Sequence, residues 1–103
     1  SLYPDAFVLS QNYPNPFNPQ TSIRLSLQED ARVDLIVYDL TGKEVTRLVK
    51  SKEHSAGYYN FIWNGKNNLG TRVSSGVYLY HAIVRDSKGS VVLNKTRKMI
   101  LLK

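Results

Sequence analysis

Apolar and polar residues alternate along most of this chain with a period of two, the spacing of a strand that buries one face. Thr21 to Leu27 places Ile23, Leu25 and Leu27 on one side and Ser22, Arg24 and Ser26 on the other. Val33 to Leu40 sets Val33, Leu35 and Val37 against Asp34, Ile36 and Tyr38, and apolar residues on both faces predict a central place in a sheet. Asp39-Leu40-Thr41-Gly42-Lys43 has turn chemistry, so Glu44 to Val49 returns as the next strand. A polar connection from Lys50 to Gly57 follows. Tyr58 to Trp63 then aligns Tyr59, Phe61 and Trp63, three aromatics expected to anchor the core.

Asn64 to Ser75 is rich in Asn and Gly and reads as a loop, and Gly76 precedes a strand from Val77 to Arg85. One face of that strand carries Tyr78, Tyr80, Ala82 and Val84, the other Val77, Leu79, His81 and Ile83. The histidine marks the second face as the outer one, which assigns the tyrosines to the core with their phenol oxygens reaching backbone groups at its rim. Leu79 and Ile83 are then semi-exposed, either covered by the N-terminal segment or open to a partner. Asp86-Ser87-Lys88-Gly89 turns the chain into a last strand, roughly Val91 to Leu102, and Ala6 to Leu9 predicts a short edge strand at the start. Turn signals about every eight to twelve residues, without a helix pattern, give an all-β sandwich. Its expected core is Ile23, Leu25, Leu35, Val37, Phe61, Trp63, Tyr78, Tyr80, Met99 and Leu101.

The prolines, Pro4, Pro14, Pro16 and Pro19, all precede this body, which divides the chain into a Pro/Asn-rich arm packing on the domain, residues 1–20, and a sheet-forming sandwich, residues 21–103. Pro14, Pro16 and Pro19 disfavour helix at Tyr13, Asn15 and Asn18, and the Asn side chains can cap backbone groups locally. An interdomain linker would account for the prolines but not for two large aromatics among them. Tyr13 and Phe17 are therefore expected to pin the arm over the open end of the sandwich.

At 103 residues and 11.7 kDa the chain has room for one core and not for a deep substrate cleft beside it. Its 42% apolar and 21% charged residues are those of a globular domain. The lack of cysteine weakly favours a reducing compartment but also fits many bacterial surface domains. There is no apolar run of about eighteen residues and no signal peptide, so if the protein is exported its targeting signal is expected upstream in a longer parent. The net charge of +6 is uneven: Arg85, Lys88, Lys95, Arg97, Lys98 and Lys103 stand against the single acid Asp86 in the last segment. They either defend an edge strand against unwanted pairing or form a patch for an acidic partner. Nucleic acid fits poorly, because no helix pattern, zinc spacing or aromatic RNA-binding strand accompanies the charge.

Catalytic and metal chemistry find no support in the residue pattern. His54 and His81 are the only histidines, and there is no third nitrogen or sulfur ligand for zinc. Ser55, His54 and Asp39 supply the residue types of a triad without a nucleophile-elbow motif. The carboxylates are scattered singly or as the pair Glu29-Asp30 in an expected exposed turn. The loop Asn64 to Gly70 has no carboxylate and puts Lys66 at a middle ligand position of a calcium loop, so its Asn and Gly residues read as adaptations to left-handed backbone. The chain is expected to be neither an enzyme nor a cofactor-binding protein.

A resemblance gathers these features. Gln11-Asn12-Tyr13-Pro14-Asn15-Pro16-Phe17-Asn18-Pro19 with Ser22-Ile23-Arg24-Leu25, then Val37 to Val45, Trp63-Asn64-Gly65-Lys66, Ser75 to Tyr80 and Lys98 to Lys103 follow one another along the chain. In that order they resemble the type A C-terminal sorting domains of type IX secretion substrates. The resemblance implies an immunoglobulin-like antiparallel β-sandwich of about seven strands, a non-catalytic C-terminal module that directs a larger exported protein through the periplasm to the cell surface or medium. It implies as partners an outer-membrane secretion translocon, a sortase-like peptidase and the upstream domains of the parent, without nucleic acid or membrane insertion. A related Ig-like domain occurs in flagellar hook-capping proteins.

Lys95, Arg97, Lys98 and Lys103 are the candidate recognition residues, and Tyr13, Pro14, Asn15, Pro16, Phe17, Asn18 and Pro19 form the arm motif. Two departures stand out: Asn64-Gly65 replaces the Asp-Gly of many members, and the spacing of Lys95, Lys98 and Lys103 fits the terminal pattern only loosely. The alternative is an accessory Ig-like domain of a secreted glycoside hydrolase or adhesin, giving structural support or binding glycan. Exposure of Trp63, or of Tyr58 and Tyr59 together, would favour glycan binding.

Overall fold

The computed structural model describes residues 3–103 and, among them, β1 (Val8–Leu9), β2 (Thr21–Leu27), β3 (Ala31–Asp39), β4 (Glu44–His54), β5 (Gly57–Trp63), β6 (Gly76–Arg85) and β7 (Val91–Leu101). They form two antiparallel sheets, β1-β2-β5 and β4-β3-β6-β7, packed as an immunoglobulin-like sandwich. The period of two accounts for the arrangement. Ile23, Leu25 and Leu27 of β2 and Val33, Leu35 and Val37 of β3 are fully buried from opposite sides of the core. β3 lies between β4 and β6, and its outward Ile36 is buried as well, which is why both faces of that strand are apolar.

The face assignment in β6 holds. Tyr78, Tyr80, Ala82 and Val84 are buried, while Val77, Leu79, His81 and Ile83 are half-buried on the outer face. The tyrosine hydroxyls reach backbone carbonyls at the rim, Tyr78 donating to Ser74 at 2.6 Å and Tyr80 to Ser10 at 2.7 Å. The arm takes its bonds from β2 and the edge of β7, so it leaves Leu79 and Ile83 uncovered.

Three tight turns use one device. In Asp39-Leu40-Thr41-Gly42-Lys43, Asn67-Asn68-Leu69-Gly70-Thr71 and Asp86-Ser87-Lys88-Gly89-Ser90, the first side chain accepts from the backbone N–H groups two and four residues on. The glycine N–H donates back to the first residue's carbonyl in each. The fourth position has φ of 87°, 80° and 82°, a left-handed conformation that glycine adopts without steric cost. The middle turn belongs to the Asn- and Gly-rich loop after β5, and its Asn67 oxygen is engaged with its own backbone.

Several expectations need correction. β4 does not stop at Val49 but runs to His54, and the supposed polar connection is largely strand. Lys50, Ser51, Lys52 and Glu53 are exposed on both faces of an edge strand, so burial imposes no alternation there. A bulge at Ser51, with φ of 43°, further breaks the period, and Asp34 holds it by accepting from the Ser51 N–H at 2.9 Å. β1 is two residues rather than four, β3 begins at Ala31, and β7 ends at Leu101. Phe61 is half-buried, not central: it and Tyr59 stack at the margin of the core, with the ring of His54 edge-on to both. The other nine expected core residues are buried, joined by Leu9, Phe17, Leu27, Ala31, Val33, Val49, Ala82 and Val84.

Candidate functional site

The arm is built as an extended segment that joins the edges of the two sheets. After β1, Ser10 donates to the Arg24 carbonyl, and Tyr13 and Ser22 exchange both backbone bonds, all at 2.9 Å, so the arm continues along β2. It then crosses to β7. Phe17 donates to the Ile100 carbonyl and accepts from Leu102, each at 2.9 Å, while the Asn15 side chain accepts from the Ile100 N–H at 3.0 Å and Gln11 Nε2 donates to the Lys98 carbonyl at 2.7 Å.

Proline chemistry makes side chains carry much of this load, because prolines offer no N–H to a ladder and leave carbonyls to be satisfied locally. The Pro14 carbonyl accepts from Thr21 Oγ1 at 2.8 Å and from Asn12 Nδ2 at 3.1 Å. Asn12 is buried, its Nδ2 also donating to Thr21 Oγ1 at 3.0 Å and its backbone N–H to the Tyr80 hydroxyl at 2.8 Å. That hydroxyl thus bridges Ser10 and Asn12. Burial is the main cause pushing the Tyr80 phenol above the usual tyrosine value, opposed by the Asn12 N–H and the Arg97 charge.

Phe17, 2% exposed, inserts between the sheets, with its ring 5.6 Å from that of Trp63, which in turn meets Tyr78 edge-on at 5.2 Å. Trp63 Nε1 donates to the Lys66 carbonyl at 2.9 Å. Gly65 completes the packing: its φ is 75°, and a Cβ there would stand 3.2 Å from the Pro19 carbonyl oxygen and 3.6 Å from Leu101 Cδ2. The expectation for Tyr13 is corrected, since it is 81% exposed. Its backbone is fixed to β2, but antiparallel pairing with Ser22 puts its side chain on the solvent face.

Electrostatics at this end are local. Arg47 pairs with Glu44 at 3.0 Å and Asp34 at 3.4 Å, and Asn68 Nδ2 donates to Glu44 at 3.3 Å. The Arg47 hydrogen bond is the first cause holding Glu44 below the usual carboxylate range. The Thr41 hydroxyl is the first cause doing the same for Asp39.

The four basic candidates of the last segment do not form one patch. Cross-strand partners share a face, and Arg97 lies opposite Tyr80 and Lys95 opposite Ala82, which turns both toward the inner side of the edge strand. Lys98 lies opposite Leu79 on the outer side, and Lys103 follows the strand. Arg97 is also engaged, its Nε donating to the Leu9 carbonyl at 2.7 Å. Lys95, Lys98 and Lys103 are exposed.

Residues considered for catalysis are not assembled. His54 pairs with Ala31 at one end of β3 and Asp39 closes the other end, so Ser55, His54 and Asp39 stand apart. His81 contacts Asn94 through Nε2 and faces the ring of Tyr38 at 6.5 Å. Among the described residues no group of three or more His, Cys, Asp or Glu side chains is placed to hold a metal ion. The exposure pattern named for glycan binding is absent: Trp63 is buried and Tyr59 is half-buried with its hydroxyl donating to the Ser55 carbonyl. Tyr58 is exposed, with the Arg24 guanidinium 4.6 Å from its ring centre.

Sequence reasoning missed the buried node of Asn12, Thr21 and Tyr80 and the role of Arg97. The spacing of Asn12 from the prolines was visible, but the partners that bury it lie up to 68 residues away.

A two-sheet immunoglobulin-like domain whose arm is clamped to its last strand is the class these features define. Within it, residues 15–88 match the FlgD Ig-like domain family over well more than half of the chain, and the chain belongs to that family. Solved structures agree on the fold. FlgD from P. aeruginosa is 21% identical with a TM-score of 0.66, over 97% of this chain and 75% of that one. Dimeric latent PorU from Porphyromonas gingivalis is 24% identical with a TM-score of 0.68, over 93% of this chain. PorZ, an essential bacterial surface component of the type-IX secretion system of the same organism, is 23% identical with a TM-score of 0.52, over 96% of this chain. The chain spans 9% of PorU and 12% of PorZ. Comparison with curated proteins gives no match.

Proposed function

We propose that this chain is a non-catalytic sorting module that directs a larger exported protein through a type IX system to the cell surface or medium. One observation carries the reading: the five stretches that resemble sorting domains, scattered through the sequence, meet at one end of the sandwich. Phe17 of the arm touches Trp63, and Trp63 touches Tyr78. Tyr78 lies opposite both Asp39 and Met99, and Gly65 packs on Pro19 and Leu101. A recognition surface made of arm, loops and the last strand would be presented as a unit only by the folded domain. The description of PorZ as a surface component of a type-IX system supports the direction of this reading.

In this role the partners are the outer-membrane translocon, a sortase-like peptidase and the upstream domains of the parent. Lys98 and Lys103 are exposed and flank Met99 and Leu101 in the sequence, whereas Arg97 is spent on holding Leu9. The test is a reporter with an inner-membrane export signal, made with and without this domain at its C-terminus, in a host that has a type IX system. Only the fusion carrying the domain is expected at the surface or in the medium. A folded fusion that stays in the periplasm would overturn the proposal.

A further inference from the structure

The sandwich has two seams between its sheets, one beside β7 and one beside β4, and the protein treats them differently. At the seam between β2 and β7 an extended segment of its own runs through: the arm bonds to Arg24 and Ser22 on one side and to Ile100 and Leu102 on the other, and Phe17 plugs the gap. Arg97, an inward-facing cation on the edge strand, donates to a carbonyl of that segment. At the seam between β4 and β5 no such segment runs among the described residues. β4 pairs only with β3 and β5 only with β2.

The start of β4 is covered by the loop after β5, where Asn68 donates to the Val45 carbonyl at 3.0 Å. Beyond it a groove of about 470 Å³ opens, lined by residues 48–54 of β4 and by Phe61 of β5. Its apolar lining is Leu48, Val49 and Phe61, and its charged groups are Lys50, Lys52 and Glu53. Glu53 is occupied by Arg32 at 2.9 Å, while among the described residues neither Lys50 nor Lys52 has a carboxylate within ion-pair distance. Lys52 lies opposite Val33 and therefore faces inward, the place on this seam that Arg97 holds on the other.

The two edges also differ. β4 carries the lysines and the Ser51 bulge that discourage strand pairing, whereas β5 pairs with β2 in unbroken register and contains neither lysine nor proline. We propose that the β4–β5 groove binds an extended segment of another polypeptide, with a bulky apolar side chain flanked by carboxylates. The segment adds as a strand along the free edge of β5, sets its apolar side chain on Leu48 and Phe61, and places its carboxylates on Lys50 and Lys52. Lys50 and Lys52 disfavour a second copy of this basic chain in the same place and select an acidic occupant. This site lies apart from the arm-clamped end and does not depend on the sorting role.

The test uses the whole chain, labelled with nitrogen-15, and the probe peptide acetyl-Asp-Glu-Val-Phe-Val-Asp-Glu-amide. Amide shifts are expected in residues 48–54 and 57–63, saturating at or below about 1 mM peptide. Replacing both Lys50→Glu and Lys52→Glu, at exposed positions that leave the fold intact, is expected to weaken binding by roughly tenfold or more. A peptide with lysines for its acids should bind as weakly to the unaltered protein. Shifts confined to another face, no shifts at about 1 mM, or unchanged affinity in the charge-reversed variant would each overturn the proposal.

Discussion

Trp63 and Tyr80 are the two largest fully buried side chains among the described residues. Trp63 is 1% exposed, contacts both Phe17 and Tyr78, and satisfies its indole N–H at Lys66. Trp63→Ala should therefore lower stability by about 3–5 kcal/mol, a large part of what a domain of this size has, and a thermal melt with unchanged midpoint would refute its placement. Tyr80→Phe removes the oxygen that serves Ser10 and Asn12 together, and leaving them unpaired should cost about 1–3 kcal/mol in a denaturant melt. The same residue gives an alkaline signature. Because its folded pKa lies above the usual value, its contribution is present below about pH 10 and lost as pH rises through the raised folded value. Tyr80→Phe should flatten that alkaline loss of stability, measured as melting temperature against pH. His81 made the inward turn of these tyrosines readable from sequence. Tyr13 and Phe17 were not separable in this way, since both are aromatics among prolines and only the backbone path puts one in solvent and the other in the core.

Among the elements, strands with one buried face could be read and edge strands could not. β2, between β1 and β5, showed its inward residues directly, whereas the second half of β4 has no buried face to impose a pattern. β7 is the instructive case. Alternation was visible in Met99 and Leu101, but the same period carried back along the strand turns Arg97 and Lys95 inward and Lys98 outward. Arg97→Ala should cost about 1 kcal/mol through the lost bond to Leu9, while Lys98→Ala and Lys103→Ala should stay within about 0.5 kcal/mol each, as chemical denaturation would measure. The arm and β7 stabilise one another through backbone bonds, with Phe17 as their anchor. Phe17→Ala should therefore speed amide hydrogen exchange at Ile100, Leu102 and Ser22 together and leave Ile23 and Leu25 protected. Loss of protection spread evenly over both sheets would contradict a separately clamped arm.

At the scale of the whole molecule, the all-β class followed from the period of two and the spacing of turns. Alternation says which side of a strand faces inward but not which strands are neighbours, so the two sheets and their unlike seams emerged only in three dimensions. The same holds for the clamped end. Its residues come from positions 17, 39, 63, 65, 78, 99 and 101, and only the crossing of the arm from β2 to β7 brings them together. On the proposed sorting role, this end is the part that a translocon would read. The most direct measurement is the surface fraction of a reporter fused to the intact domain, compared between a host with a working type IX translocon and the same host with the translocon inactivated. The reporter should reach the surface in the first and remain in the periplasm, folded, in the second; equal surface fractions in the two hosts, or retention in both, would contradict the account.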